Sequence, residues 1–189
     1  AVCDSTGHGM PGAFMSLLNI GFLTEAINEK NFLETNLIFE YVRERLMSSV
    51  SKEGQKDGFD GIIVRFNQST KEITYTAAHN APILISNNEL IELQKDKMPV
   101  GIGERKEKFT CHKLQVKQGD ILYLYTDGYA DQFGGPKGKK FKYNKFKDVL
   151  VESAHLSVDE QYNTLNKAFI DWKGTQEQVD DVLVIGVKI

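Results

Sequence analysis

Cysteine is scarce here: Cys3 and Cys111 are the only two among 189 residues, far apart and without a C-x-x-C pair. That scarcity argues against a disulfide framework or a cysteine-built zinc site and points to a reducing, cytoplasmic setting. An excess of charge is missing too. The formal net charge is −3 with acids and bases evenly mixed, whereas a nucleic-acid binder carries a basic face or arm. No apolar run is read as approaching the roughly 20 residues that cross a membrane, and no secretory leader is recognised, so a soluble, uninserted fragment is expected. No Gly-Lys-Ser/Thr follows the glycine-rich stretch, which excludes a phosphate P-loop. Nothing marks a linker, so residues 1–189 are read as a single domain. Ala1 to Asp4 already reads as the end of a strand, and a piece of a longer chain is therefore expected.

Glycine is placed with purpose near the start. Residues Gly7 to Gly12 spell GHGMPG, literally the G-x-G-x-x-G of a dinucleotide loop. Such a loop needs an acidic residue about 20 positions on, at the end of a second strand. Here Glu25 and Glu29 fall inside a helical pattern instead, spaced by Phe14, Leu17, Leu18, Phe22 and Ala26. Asp4 just ahead of the glycines would repel a pyrophosphate and attract a cation.

The rest of the chain reads as helices, then a strand meander, then helices and a closing strand. Periodicity predicts a helix from about Pro11 to Lys30 and another from about Glu34 to Val50. GIIVRFN and EITYTA, joined by QSTK, form a hairpin signal; PILIS turns at Asn87 and Asn88 into ELIELQ; FTCHKLQV alternates before DILYLYT. Residues Tyr143 to Trp172 return to helical spacing, broken near Ser157, where Glu160 completes a capping box. VLVIGVKI, nearly continuous in apolar residues, predicts a buried central strand. This order implies an α+β fold with mostly antiparallel sheet and no doubly wound alternation.

Three acidic points share one design: Asp4 before S-T-G-H-G, Asp127 before Gly128, and the Asp180-Asp181 pair before the last strand. Carboxylates at strand ends beside flexible turns suit Mg²⁺ or Mn²⁺ if they converge. Each has a plainer reading as a turn or cap residue, and His8 as a hydrogen-bonded structural histidine.

The ordered motifs DSTGHGMPGAFMS, DGFD, AHNAPILI, MPVGIG, GDILYLYTDGYADQFGG and QVDDVLVIGVKI resemble the bacterial branch of the metal-dependent (PPM, type 2C) protein serine/threonine phosphatases, which includes the sporulation stage II protein E and RsbU phosphatases. The resemblance runs from Asp4 to Ile189. It implies two antiparallel sheets packed as a sandwich flanked by helices, and a binuclear Mn²⁺ or Mg²⁺ site. By the resemblance Asp4 bridges the two ions, Ser5 lends its backbone carbonyl, and Asp127 and Asp180 are further ligands, with Asp181, Gly128 and His8 standing behind them. The glycines then serve a tight exit from a metal-bearing strand into a closely packed helix.

The implied activity is hydrolysis of phosphoserine or phosphothreonine on a protein by direct attack of metal-activated water, without a phosphoenzyme. No Cys-x5-Arg loop is present to suggest otherwise. The implied partners are a STAS-type anti-anti-sigma phosphoprotein substrate and an upstream sensor or regulatory domain, to which the first helix couples the metal site; that helix fits a core role equally well. Lys137, Lys139 and Lys140 in GGPKGKKFK are candidates for a substrate flap, with a mobile solvated loop as the alternative. The family's extra N-terminal strands are not found. A catalytically silent phosphatase-like binding module is the competing function.

Overall fold

The computed structural model describes residues 1–7, 9–50, 57–105 and 107–189. In chain order the elements are β1 (Val2–Ser5), α1 (Gly9–Thr24) running on into a π-helical turn (Glu25–Glu29), α2 (Thr35–Val50), β2 (Gly58–Asn67), β3 (Glu72–Ala78), β4 (Ile83–Ser86), β5 (Glu89–Glu92), β6 (Val100–Gly101), β7 (His112–Gln115), β8 (Ile121–Tyr125), α3 (Gly128–Asp131), β9 (Phe133–Gly134), β10 (Lys139–Lys140), α4 (Tyr143–Ser153), α5 (Val158–Lys173) and β11 (Val184–Lys188). They form two compact units, residues 1–81 with 94–116 and residues 82–93 with 117–189. The α+β class with antiparallel sheets is as expected.

In the first unit the sheet runs β1-β2-β3-β7, with β6 also on β2, every pair antiparallel. Helix α2 turns Ile38, Phe39, Val42 and Leu46 into the core, where Phe39 meets the rings of Phe59 and Phe109 edge-on. Helix α1 starts at Gly9, two residues before the predicted Pro11, whose missing N–H costs nothing in a first turn. Its buried face also differs from the expected one. Met15, Asn19, Phe22 and Ala26 are inside, while Phe14 and Leu17 are 64% and 68% exposed. This helix is apolar on every side, so period alone does not choose a face; Asn19 does, by donating to Ser5 Oγ at 2.9 Å.

Together α1 and the π turn make a 21-residue helix, Gly9–Glu29, with mean hydropathy 1.2, long and apolar enough to cross a membrane by those two measures. That corrects the expectation that no segment approaches this length; Asn19 and Glu25 interrupt the run without ending the helix. Met15, Phe22 and Ala26 pack in the unit's core.

Strand β7 is shorter than FTCHKLQV suggests. Side chains satisfy the preceding backbone instead: the Phe109 N–H donates to the Glu40 carboxylate, and the Thr110 N–H and hydroxyl donate to Asp96 at 2.8 and 2.9 Å.

The second unit's four-stranded sheet runs β11-β8-β4-β5, all antiparallel. Asn87 and Asn88, with φ of 50° and 64°, make the β4–β5 turn. Among the described residues strand β11 is an edge strand and not the predicted central one: it pairs with β8 alone, and Ile185 and Val187 are exposed. An apolar run reports what a strand's faces meet and is silent on how many ladders it joins. Helices α4 and α5 supply Phe146, Leu150 and Phe169 to a core with Ile83, Tyr123 and Tyr129. Helix α5 opens on the predicted Ser157–Glu160 capping box.

Candidate metal and phosphate site

In the first unit β1 lays Asp4 directly opposite Asp60 on β2, one register step from Ser5 opposite Phe59. Antiparallel partners project to the same face with Cβ atoms about 5 Å apart, where like charges are unfavourable unless something intervenes. One neighbour of Asp60 is His79, whose Nδ1 lies 2.8 Å from its carboxylate. The Ser5 hydroxyl is held from α1, accepting from Ser16 Oγ at 3.0 Å as well as from Asn19. This hydroxyl is thus engaged as an acceptor.

The glycine turn works as expected. A Cβ on Gly12 would fall 2.4 Å from the Gly7 carbonyl oxygen, so the loop lies against the first turn of α1 with no room for a side chain. His8 lies outside the described residues. Burial pushes the adjacent strand's Cys3 thiol up to about 12, so it is protonated at neutral pH.

In the second unit Asp127 follows β8 at the head of the short helix α3 but makes no side-chain capping bond to it. The buried Thr126 ties this point to the chain before β11: its hydroxyl donates to the Asp181 carbonyl and accepts from the Leu183 N–H, both at 3.0 Å. Gly128 completes the contact. A Cβ there would sit 2.4 Å from the Asp181 carbonyl oxygen and 3.3 Å from Asp180 Cβ. Asp127, Gly128, Asp180 and Asp181 are thereby brought together. One Asp180 oxygen accepts the Asp181 N–H at 2.8 Å, which fixes the carboxylate's rotamer.

Among the described residues, neither unit gathers three His, Cys, Asp or Glu side chains into a group able by itself to hold a metal ion. Asp4 and Asp60, register partners on β1 and β2, and Asp127 and Asp180, on two segments in contact through Gly128, offer hard oxygens, the kind that Mg²⁺ and Mn²⁺ prefer. They fit such ions. Asp60 was not singled out from the sequence, although DGFD contains it. The available signal was a carboxylate set among the apolar residues Phe59, Ile62 and Ile63.

The GGPKGKKFK stretch is a clasped hairpin. The Gly135 N–H donates to the Trp172 carbonyl at 2.7 Å, and Trp172 Nε1 donates to the Gln132 carbonyl at 3.2 Å. Lys140 is committed to Asp131 at 2.7 Å, while the turn between the strands leaves Lys137 exposed, and Lys139 is exposed as well.

The family profile described as Stage II sporulation protein E (SpoIIE) matches residues 1–189. A search of curated proteins gives no match. Among solved structures, the SiaA-PP2C domain of Pseudomonas aeruginosa is similar with a TM-score of 0.90 at 23% identity, over 99% of this chain and 74% of that one. The RsbU and RsbW domains of a Mycobacterium tuberculosis protein give 0.77 at 19% identity, over 98% of this chain and 50% of that one. RsbX in complex with magnesium gives 0.67 at 20%, over 97% and 77%. This chain therefore spans half the length of the Mycobacterium structure. The shared fold is that of PP2C phosphatase domains.

Proposed function

This chain belongs to the Stage II sporulation protein E (SpoIIE) family, and from that membership we propose that it is a metal-dependent protein phosphatase domain acting on phosphoserine or phosphothreonine in a regulatory protein. The observation that carries the reading is the close contact between the Asp127-Gly128 turn and the Asp180-Asp181 segment, which Gly128 and Thr126 maintain. A merely structural turn has no need for two carboxylates there.

Asp4, the Ser5 carbonyl, Asp127 and Asp180 would hold Mn²⁺ or Mg²⁺. When bound, these ions offset charge on the phosphoryl oxygens and make hydroxide available near neutral pH. Asp60 adds negative charge opposite Asp4, and His79 holds its carboxylate in place. Among the described residues next to Asp4, Cys3 is a partly buried neutral thiol and the Ser5 hydroxyl is engaged by α1, so neither is offered as a nucleophile. Direct attack by water follows, with the serine or threonine oxygen leaving as the alcohol.

The family resemblance makes this regulatory substrate one of the anti-anti-sigma (STAS) kind; the RsbU and RsbW domains of one neighbouring structure support a regulatory partner in general. Titration of the metal-stripped chain with Mn²⁺ by calorimetry should show saturable binding, and Mn²⁺ should switch on hydrolysis of 4-nitrophenyl phosphate. Asp127→Asn should abolish both. Binding and turnover unchanged by the substitution would remove Asp127 from the site and the reading with it.

A further inference from the structure

Two residues beyond Asp4, Thr6 forms part of the wall of a cavity of about 330 Å³ lying wholly within the first unit. Thr6 is locked to β2, with its N–H and hydroxyl both donating to the Gly58 carbonyl at 2.9 and 3.1 Å. Asp60 and His79 form another wall, and residues 97–105 form the rim, with Lys97 and Arg105 at its two ends.

This rim is built and not slack. Before Lys97, Asp96 accepts the His79 N–H at 2.9 Å, donates its own N–H to Ala77 at 2.8 Å, and takes two bonds from Thr110 on its carboxylate. Met98 and Val100 are buried, β6 pairs with the start of β2, and the Ile102 N–H donates to the Asp57 carbonyl at 3.1 Å. His79 itself is held at φ 58°, a conformation that non-glycine residues adopt only where the surroundings enforce it.

Charge in the wall is of both signs, but the commitments differ. Asp60 is engaged by His79, and Glu104 has a partner of its own. Among the described residues Lys97 and Arg105 have no ion-pair partner, and they stand at the rim of a wall that also carries the carboxylates of Asp57, Asp60 and Glu104. Two exposed cations on an anchored rim, next to the strand end that carries Asp4, match an anionic chain segment running away from a phosphorylated side chain.

We propose that this cavity is the subsite for residues flanking the phosphoserine or phosphothreonine, and that Lys97 and Arg105 select acidic flanks. The proposal rests on the phosphatase reading above. It implies discrimination between protein substrates that the metal-ligating residues, which touch only the phosphoryl group, do not supply.

The test compares, for each enzyme with Mn²⁺, kcat/KM on two phosphothreonine decapeptides that differ only in having glutamate or alanine on either side of the phosphothreonine. The native chain should prefer the glutamate peptide about tenfold, the effect expected of two exposed charge pairs. K97E/R105E should lose or invert that preference, and Lys97→Arg should retain it. Because the readout is a ratio within each enzyme, a partly destabilised variant is still informative. No preference in the native chain, or an undiminished one in K97E/R105E, overturns the subsite alone. Failure of the native chain to hydrolyse either peptide or 4-nitrophenyl phosphate overturns the phosphatase reading, and this proposal with it.

Discussion

A methyl group at Gly128 would lie 2.4 Å from the Asp181 carbonyl oxygen, a distance that packed atoms do not tolerate, so either residues 180–181 or the head of α3 must move. Overpacking of this kind costs about 1–3 kcal/mol, and here the displaced atoms belong to the segment that bears Asp180. Gly128→Ala should therefore lower stability by about that amount in urea titrations and weaken Mn²⁺ binding tenfold or more by calorimetry. Unchanged Mn²⁺ affinity would show that the contact of Gly128 with residues 180–181 does not matter to the metal. Asp60 makes the complementary point. Asp4, Asp127 and Asp180 stand beside turn residues in the sequence, but it is the family resemblance that singles them out as metal ligands. Asp60 acquires its meaning only from the β1–β2 register, which sets it across from Asp4, and a register between strands more than fifty residues apart leaves no local trace in the sequence.

Elements were legible where local chemistry decides them and illegible where a distant contact does. The Ser157–Glu160 box and the Asn87-Asn88 turn carry their own backbone partners and appear as expected. The buried face of α1 is chosen by the Asn19–Ser5 bond, and the strand before His112 is forestalled by the carboxylates of Glu40 and Asp96. The β9–β10 hairpin belongs with this second group. Its short ladder would not hold alone; it is fastened by Trp172, whose ring meets Phe141 edge-on at 5.4 Å and lies under the Lys145 ammonium at 3.7 Å. Trp172→Ala should cost about 2–4 kcal/mol and, compared at equal folded fraction, should expose residues 137–142 to tryptic cleavage at least tenfold faster. Cleavage at the native rate would mean that the hairpin is held by its own ladder after all.

At the scale of the whole chain, the tyrosines buried in the second unit make stability sensitive to alkaline pH. Tyr123, Tyr125 and Tyr129 are all 5% exposed or less. Burial pushes Tyr123 up to about 12 and raises Tyr125 and Tyr129 further, with the charges of Tyr143 and Glu92 adding to the effect at Tyr125. Two of the hydroxyls already donate, Tyr123 to Gln161 at 2.6 Å and Tyr129 to the Leu165 carbonyl at 2.7 Å, bonds available only to the protonated form. An unfolded tyrosine ionises near 10, so between that value and about 12 the unfolded state releases protons that the folded state keeps. Stability from these residues is therefore fully present below pH 10 and is lost as pH rises toward and through 12. Discounted for solvent screening, the three together should cost on the order of 2 kcal/mol at pH 11. Urea titrations at pH 9 and pH 11 should show that loss, and the tyrosinate absorbance near 295 nm should gain these three groups only as the unit unfolds. Tyr123→Phe, which removes one ionisable hydroxyl without emptying its space, should lower stability at pH 9 but lose less of it between pH 9 and 11 than the native chain does. An equal loss in both would assign the alkaline sensitivity to groups other than this core.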